Sequence, residues 1–480
     1  MSKEKFYITT SIAYANSSPH IGFALELVQA DVLARHQRLQ GKEVFFLTGT
    51  DEHGVKIIKA AQNAGKPVKQ FVGEVSVKFR KLAKILNLSN NDFIRTTDQR
   101  KHWPSVKRVW RQLQEAGDLY KKKYQGLYCE GCEAFKTKRE LIDSRCIIHK
   151  TIPGAVKEEN YFFKLSRYQD QIERAIQEEK LKIIPEGKKN EMLSFISQGL
   201  EDVSFSRPRK DLKWGIPVPN DSSQTIYVWA DALVNYLSIL GYDKSSSRFK
   251  KFWPANVHCI GKDILRFHAT IWPGMLLSAG LSLPETIFVH GFITSKGQKM
   301  SKSLGNIVDP FGLANKYGSD AVRYFLLKEV PSSEDGDFTP EKFVARYNSD
   351  LANGLGNLAS RVIALAAKLN INLQKADSTI PNSEFQGAIK EAENGCKQGL
   401  DEFKFNESLG SIWQLIGFCD KYIEEKKPWQ ESTDQKKTIL NLLYALNKIA
   451  DFLTPFLPET SGAVKNEIRQ QKKGALFPRF

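Results

Sequence analysis

Three groups of residues have the types and spacing to do chemistry. Lys299-Met300-Ser301-Lys302-Ser303 places two ammonium groups three residues apart, between Gly297 and Gly305. On a loop that glycines let move, such a pair can neutralise charge as it develops on a polyphosphate, which is transition-state electrostatics. Pro19-His20-Ile21-Gly22 stands where a β-rich run hands over to a helical one. Helix N-termini carry unpaired N–H groups and a partial positive charge, so phosphate binding is their natural use. Gly22 permits close backbone approach there, and His20 can donate to a phosphate oxygen; taken alone, a His-x-Gly step is more commonly a turn with a capping histidine. Cys129-x2-Cys132 and Cys146-x2-His149, with thirteen residues between the pairs, can wrap one tetrahedral zinc. Four protein ligands close such a site, so its role is structural. Cys259 and Cys419 lie singly in apolar runs as core residues, and Cys396 sits in polar text without a role.

The elements that position these groups follow from periodicity. Residues 5–10 form a short β-rich run, 11–20 a loop, and 22–41 a helix with Leu25, Val28, Val32 and Leu39 at helical spacing. Residues 43–48 are a continuous apolar run that suits a buried parallel strand, completing a βαβ unit. Between 117 and 225 the text is more charged and irregular; strand-like text returns at 224–229, 256–261 and 285–291. From about Ser349 the strands give way to helical runs at 351–369, 405–426 and 435–453, read as a helical bundle. The predicted organisation is a catalytic first half at 1–116, an insertion at 117–225, a catalytic second half at 226–290, the lysine loop and its surroundings at 291–348, and a helical domain at 349–480.

Composition sets the outer bounds. The 480 residues carry 70 Lys+Arg against 54 Asp+Glu, a formal charge of +16, and 41% are hydrophobic. At roughly 150 residues per domain this is about three domains, with ample core material and no whole-chain disorder. Six cysteines are too few for a disulfide scaffold. The N-terminus has neither a signal core nor an Arg-rich presequence, and the most apolar stretch, 271–283, is short and broken by Pro273 and Gly274. A soluble, cytoplasmic protein with an anionic partner, nucleic acid foremost, is expected.

The paired signals resemble the His-Ile-Gly-His and Lys-Met-Ser-Lys-Ser signatures of class I aminoacyl-tRNA synthetases. The text around them resembles the methionyl members: Ser11-Ile-Ala-Tyr-Ala-Asn, Thr48-Gly-Thr-Asp-Glu-His-Gly54, Tyr227-Val-Trp-Ala-Asp-Ala232 and Gly261-Lys-Asp-Ile-Leu-Arg-Phe-His268, in family order along nearly the whole chain. The resemblance implies an α/β fold with a Rossmann-like parallel sheet, an inserted zinc-bearing connective domain and a C-terminal α-helical bundle. It implies ATP binding by His20, Gly22, Lys299, Ser301 and Lys302, with Mg2+ accompanying ATP. His20, Lys299 and Lys302 take catalytic roles, joined by Arg207, which resembles the family's active-site arginine. Methionine binding falls to Ser11, Ile12, Tyr14, Asp51, Trp229, Ala232, Tyr236, Ile264, Phe267 and His268. One structural zinc falls to Cys129, Cys132, Cys146 and His149. Asn357 and Arg361, at i and i+4 on one helix face, are expected with Trp429 to read the CAU anticodon of tRNA(Met).

Two departures stand out. Phe23 occupies the place of the second signature histidine and cannot donate a hydrogen bond, so the role passes to His20 alone. Leu233 stands where the family often has proline. A further pattern is a decoy: Gly354-x-Gly356-x-x-Ala359 matches a dinucleotide fingerprint, but no strand is expected before it, so NAD binding is excluded. The reading is a methionine–tRNA ligase acting through methionyl-adenylate, and a monomer, since no text resembling the family's C-terminal dimerising domain is present. Its rival is a catalytically silent, synthetase-like tRNA-binding protein, argued by Phe23 alone.

Overall fold

A computed structural model describes residues 3–129, 134–136, 141–147, 150–300, 305–371, 381–472, 474 and 476–479. The chain divides into two compact units. One comprises Met1–Pro19, Gly41–Lys81 and Asn90–Val289, the other His20–Gln40, Leu82–Ser89 and His290–Phe480.

The first unit is built on a six-stranded sheet in the order Asp92–Arg95, Glu43–Asp51, Lys5–Tyr14, Val257–Gly261, Thr286–His290, Lys182–Ile184. Lys5–Tyr14 runs parallel to both of its neighbours, and the two outermost pairs are parallel as well. Val44 to Asp51 are buried without a break, which is why that strand reads as one apolar run and not as an alternation. Strand order reverses between Lys5–Tyr14 and Val257–Gly261. Ligands of open parallel sheets bind at such a reversal, outside the carboxyl ends of the strands. Gly49 is dictated by closeness: a Cβ there would lie 2.3 Å from the Ile94 carbonyl oxygen of the next strand.

Three expectations are corrected in this unit. The loop predicted at 11–20 begins as strand, up to Tyr14, because Ile12, Ala13 and Tyr14 continue the pairing with Gly49, Thr50 and Asp51 after a bulge. The strand expected at 224–229 ends at Ile226 and belongs to a small antiparallel sheet with Ser206–Pro208 and Pro217–Val218; Val228–Ala232 is a helical turn. Aromatic and β-branched residues suit either state when fully buried, and tertiary packing decides between them. Lys182–Ile184, within the irregular 117–225 stretch, adds an edge strand to the parallel sheet; three residues are too few to show a period. The rest of that stretch is built around a long antiparallel pair, Leu119–Cys129 with Gly154–Phe163.

The second unit is mainly helical. Helices Phe405–Lys426 and Gln435–Leu453 have the expected bounds. The run expected at 351–369 instead continues from a wider-wound segment, Tyr347–Gly356, into the α-helix Asn357–Lys368. Gly354 and Gly356 weaken the α-helix locally, and helix also precedes them, in Pro340–Arg346. No strand introduces the glycines, so the dinucleotide decoy stays excluded. Arg323, fully buried on helix Ser319–Lys328, donates to the carbonyls of Leu86, Pro455 and Phe456 and pairs with Asp31 at 2.8 Å. Among the described residues no helix is long and apolar enough to cross a membrane.

Candidate active site

The residues singled out for methionine all lie in the first unit, around the carboxyl ends of the central strands. Ser11, Ile12 and Tyr14 end the strand Lys5–Tyr14, and Tyr14 is in register with Asp51, the last residue of its own strand. Ile264, Phe267 and His268 follow the end of Val257–Gly261. Trp229 and Ala232 lie on the helical turn Val228–Ala232, and Tyr236 on Asn235–Ser238. Ile12, Tyr14 and Trp229 pack against a buried cluster that includes Ala232, Tyr128 and Tyr227. Ile12, Ile264 and Phe267 pack against the main core, which contains Tyr236. Trp229 and Phe267 stack with centroids 3.5 Å apart and planes 9° from parallel.

Polar groups in this region have fixed roles. His268 Nδ1 is 3.0 Å from the Ile264 carbonyl oxygen, which can only accept, so that nitrogen carries the proton. Nε2 therefore accepts from the Tyr236 hydroxyl at 2.8 Å. Burial pushes the His268 pKa down to about 4, so the ring is neutral at physiological pH. His258 behaves alike: its Nε2 accepts from the Trp272 indole and its Nδ1 donates to Thr9 Oγ1. Burial and the neighbouring His268 hold it well below the ordinary histidine value. Of two adjacent carboxylates, Glu52 is taken up by a two-pronged bond from Arg95, at 2.7 and 2.9 Å. Asp51, 4% exposed, is oriented by the backbone N–H of His53 at 3.3 Å.

Sequence reasoning missed a buried chain in the same place. Asp231 Oδ2 lies 2.6 Å from His53 Nδ1, and its Oδ1 lies 2.7 Å from His102 Nε2. Desolvation raises the Asp231 pKa, yet the two histidines outweigh it and hold the carboxyl below its ordinary value. Asp231 and His53 sat inside quoted motifs, but no spacing links positions 178 residues apart.

Arg207 is 5% exposed and bonds to Glu158 at 2.6 Å. Its guanidinium stands 3.9 Å from the Tyr128 ring centroid and 5.1 Å from that of Tyr227. A cation held beside two rings in this way is oriented as well as charged. Glu158 and Tyr128 were not foreseen.

The phosphate-type residues lie in the second unit. His20 caps helix Ile21–Leu39, its Nδ1 accepting from Gly22 N–H at 3.1 Å. With Nδ1 occupied as acceptor, the neutral ring carries its proton on Nε2. The helix N-terminus is less open than expected, because Ile21 N–H is also bound, to the Val308 carbonyl. Lys299 ends a two-residue strand paired with Ile293–Ser295, across a turn where Lys296 and Gly297 have positive φ. Ser301 and Lys302 lie outside the described residues.

Of the anticodon candidates, Asn357 and Arg361 begin the helix Asn357–Lys368. Arg361 pairs with Glu424 at 2.6 Å, and its guanidinium lies 5.9 Å from the Trp429 ring centroid. Trp429 is 44% exposed, so it is not a core residue. Of the metal candidates, Cys129 and Cys146 close the strands Leu119–Cys129 and Arg145–Cys146 and are buried. Cys132 and His149 lie outside the described residues. Among the described residues, no group of three or more His, Cys, Asp or Glu could hold a metal ion.

The chain also matches known proteins. Residues 6–141 and 132–363 match the family of class I (M) tRNA synthetases, and 382–475 match the anticodon-binding domain of tRNA ligases. The parallel sheet, the helical C-terminal part and these matches define a class I aminoacyl-tRNA synthetase. Methionine–tRNA ligase of Thermotoga maritima is 42% identical over 482 residues, covering 98% of this chain and 76% of that protein. That of Rhizobium meliloti is 42% identical over 475 residues, covering 95% and 90%. The structure of Mycobacterium tuberculosis methionyl-tRNA synthetase in complex with methionyl-adenylate matches with a TM-score of 0.90 at 38% identity, over 99% of this chain and 98% of that one. The chain belongs to the methionine–tRNA ligases.

Proposed function

We infer that this chain activates L-methionine with ATP and transfers it to tRNA(Met). The observation that carries the reading is the gathering of Ile12, Tyr14, Trp229, Ala232, Tyr236, Ile264, Phe267 and Asp51 at the reversal of strand order. Aromatic walls suit a thioether, and Asp51 offers a carboxylate to the substrate ammonium. Ser11 and His268 complete the pocket, His268 as a neutral ring whose polarity does not compete for the ammonium.

The methionine carboxylate attacks the α-phosphate of MgATP in line, giving methionyl-adenylate and pyrophosphate. The terminal ribose hydroxyl of the tRNA then displaces AMP. No enzyme nucleophile is needed, so catalysis is positioning plus charge stabilisation. His20, Gly22, Lys299, Ser301 and Lys302 hold the phosphates, with His20 donating through Nε2. Arg207 adds a fixed positive charge.

Asn357, Arg361 and Trp429 read the CAU anticodon, the exposed indole stacking on an unpaired base. The buried thiols of Cys129 and Cys146, each with a second soft or nitrogen donor beyond two intervening residues, suit one structural zinc in the connective domain with Cys132 and His149. Bound there, zinc supplies a cross-link and takes no part in the reaction. Metal analysis should find about one zinc per chain. The five-segment organisation, a monomeric state and a cytoplasmic location complete the reading.

ATP–pyrophosphate exchange with each amino acid tests it. Exchange with methionine alone is expected, whereas no exchange with any amino acid would favour the silent tRNA-binding protein.

A further inference from the structure

Asp231 poses a question that packing alone does not answer. It is wholly buried, and a buried carboxylate is costly unless its oxygens are met by donors. Both are met, by His53 Nδ1 at 2.6 Å and His102 Nε2 at 2.7 Å. His102 is itself fixed, with its Nδ1 2.9 Å from Ser238 Oγ.

His53 stands at a junction. Its backbone N–H orients Asp51, its carbonyl accepts from the Tyr14 hydroxyl at 3.1 Å, and the carbonyl of the preceding Glu52 accepts from the Trp214 indole at 2.6 Å. On the other side, Asp231 shares a five-residue helical turn with Trp229 and Ala232. One carboxylate thus ties the strand end that carries Asp51 to the turn that carries the aromatic wall. Adenylation needs no general base, so this chain has no proton to shuttle; what it supplies is geometry.

We infer that Asp231, acting through His53 and His102, is a positioning residue that sets the distance between the ammonium-binding carboxylate and the thioether-binding wall. The inference rests on the reading of this pocket as the methionine site. The methyl-thioether and the ammonium are at opposite ends of the substrate, so a shift of one wall against the other weakens methionine without touching ATP.

Methionine-dependent pyrophosphate exchange on the full chain tests it. Asp231→Asn and His53→Ala should each raise the methionine KM by about tenfold or more, with the ATP KM within about twofold of its original value. His53→Asn, whose amide nitrogen falls near the place of Nδ1, should restore the methionine KM to within about threefold. His102→Gln, which keeps a donor near Nε2, should do better than His102→Ala. A purely structural role would lower the melting temperature and the fraction of active enzyme while leaving both KM values alone. That result, or a KM rise shared equally by ATP, overturns the inference. Should Asp231→Asn fail to fold, the His53→Ala and His53→Asn pair decides by the same criterion. Asp51→Ala separates the two layers: if it also leaves the methionine KM unchanged, the location of the pocket is wrong, not merely its bracing.

Discussion

His268 shows how one side chain's surroundings fix its chemistry. With Nδ1 donating to Ile264 and Nε2 accepting from Tyr236, a second proton would have to break the Tyr236 bond inside an apolar pocket. Its pKa is about 4 when folded, against 6.5 when exposed. Between those values the unfolded chain binds more protons, so the stabilisation is complete above pH 6.5 and is lost as pH falls toward 4. Thermal unfolding followed across that window should show a loss of about 3 kcal/mol from this residue, and His268→Gln should flatten the dependence. Trp429 is the opposite case, 44% exposed with the Arg361 guanidinium 5.9 Å from its ring centroid. Trp429→Ala should leave stability within about 0.5 kcal/mol and pyrophosphate exchange intact, while raising the KM for tRNA. Equal loss of exchange and of tRNA charging would return Trp429 to a structural role.

At the scale of elements, local pattern and long-range pairing were unequally legible. Helices Phe405–Lys426 and Gln435–Leu453 were readable to the residue, because a helix closes its hydrogen bonds within four positions and its apolar stripe repeats inside a short window. Strands were less readable. Ser11–Tyr14 became strand only because Gly49–Asp51 lie beside them, and Lys182–Ile184 only because Thr286–Phe288 offer an edge. Close approach between backbones is equally invisible in a single sequence. A Cβ on Gly291 would sit 1.9 Å from the Glu334 carbonyl oxygen, where Phe292 also bonds to Asp335 and Gly336. Gly291→Ala should therefore cost about 2–3 kcal/mol and displace the hairpin that ends at Lys299. Calorimetry and the ATP KM check this, and an unchanged ATP KM at reduced stability would detach that hairpin from the phosphates.

For the whole molecule, the surplus of sixteen positive charges belongs to a chain whose 382–475 region matches an anticodon-binding domain. Phosphate contacts release condensed counterions, so the tRNA KM should rise by about tenfold or more between about 50 and about 200 mM salt. The methionine KM in pyrophosphate exchange, which involves no polyanion of that length, should barely move. A tRNA KM indifferent to salt would mean that the charge is a solvated surface only. The sequence by itself determined the family, the residues of each motif and the sign of the partner, since these reside in residue identity and short spacing. Only the tertiary structure decided that Asp231 meets His53 and His102, that Glu158 and two tyrosines hold Arg207, and that Arg323 is buried against Asp31. The physical reason is the same in each case. Burial makes an isolated charge untenable, and the partner that satisfies it is supplied by whichever distant segment the fold brings within bonding distance.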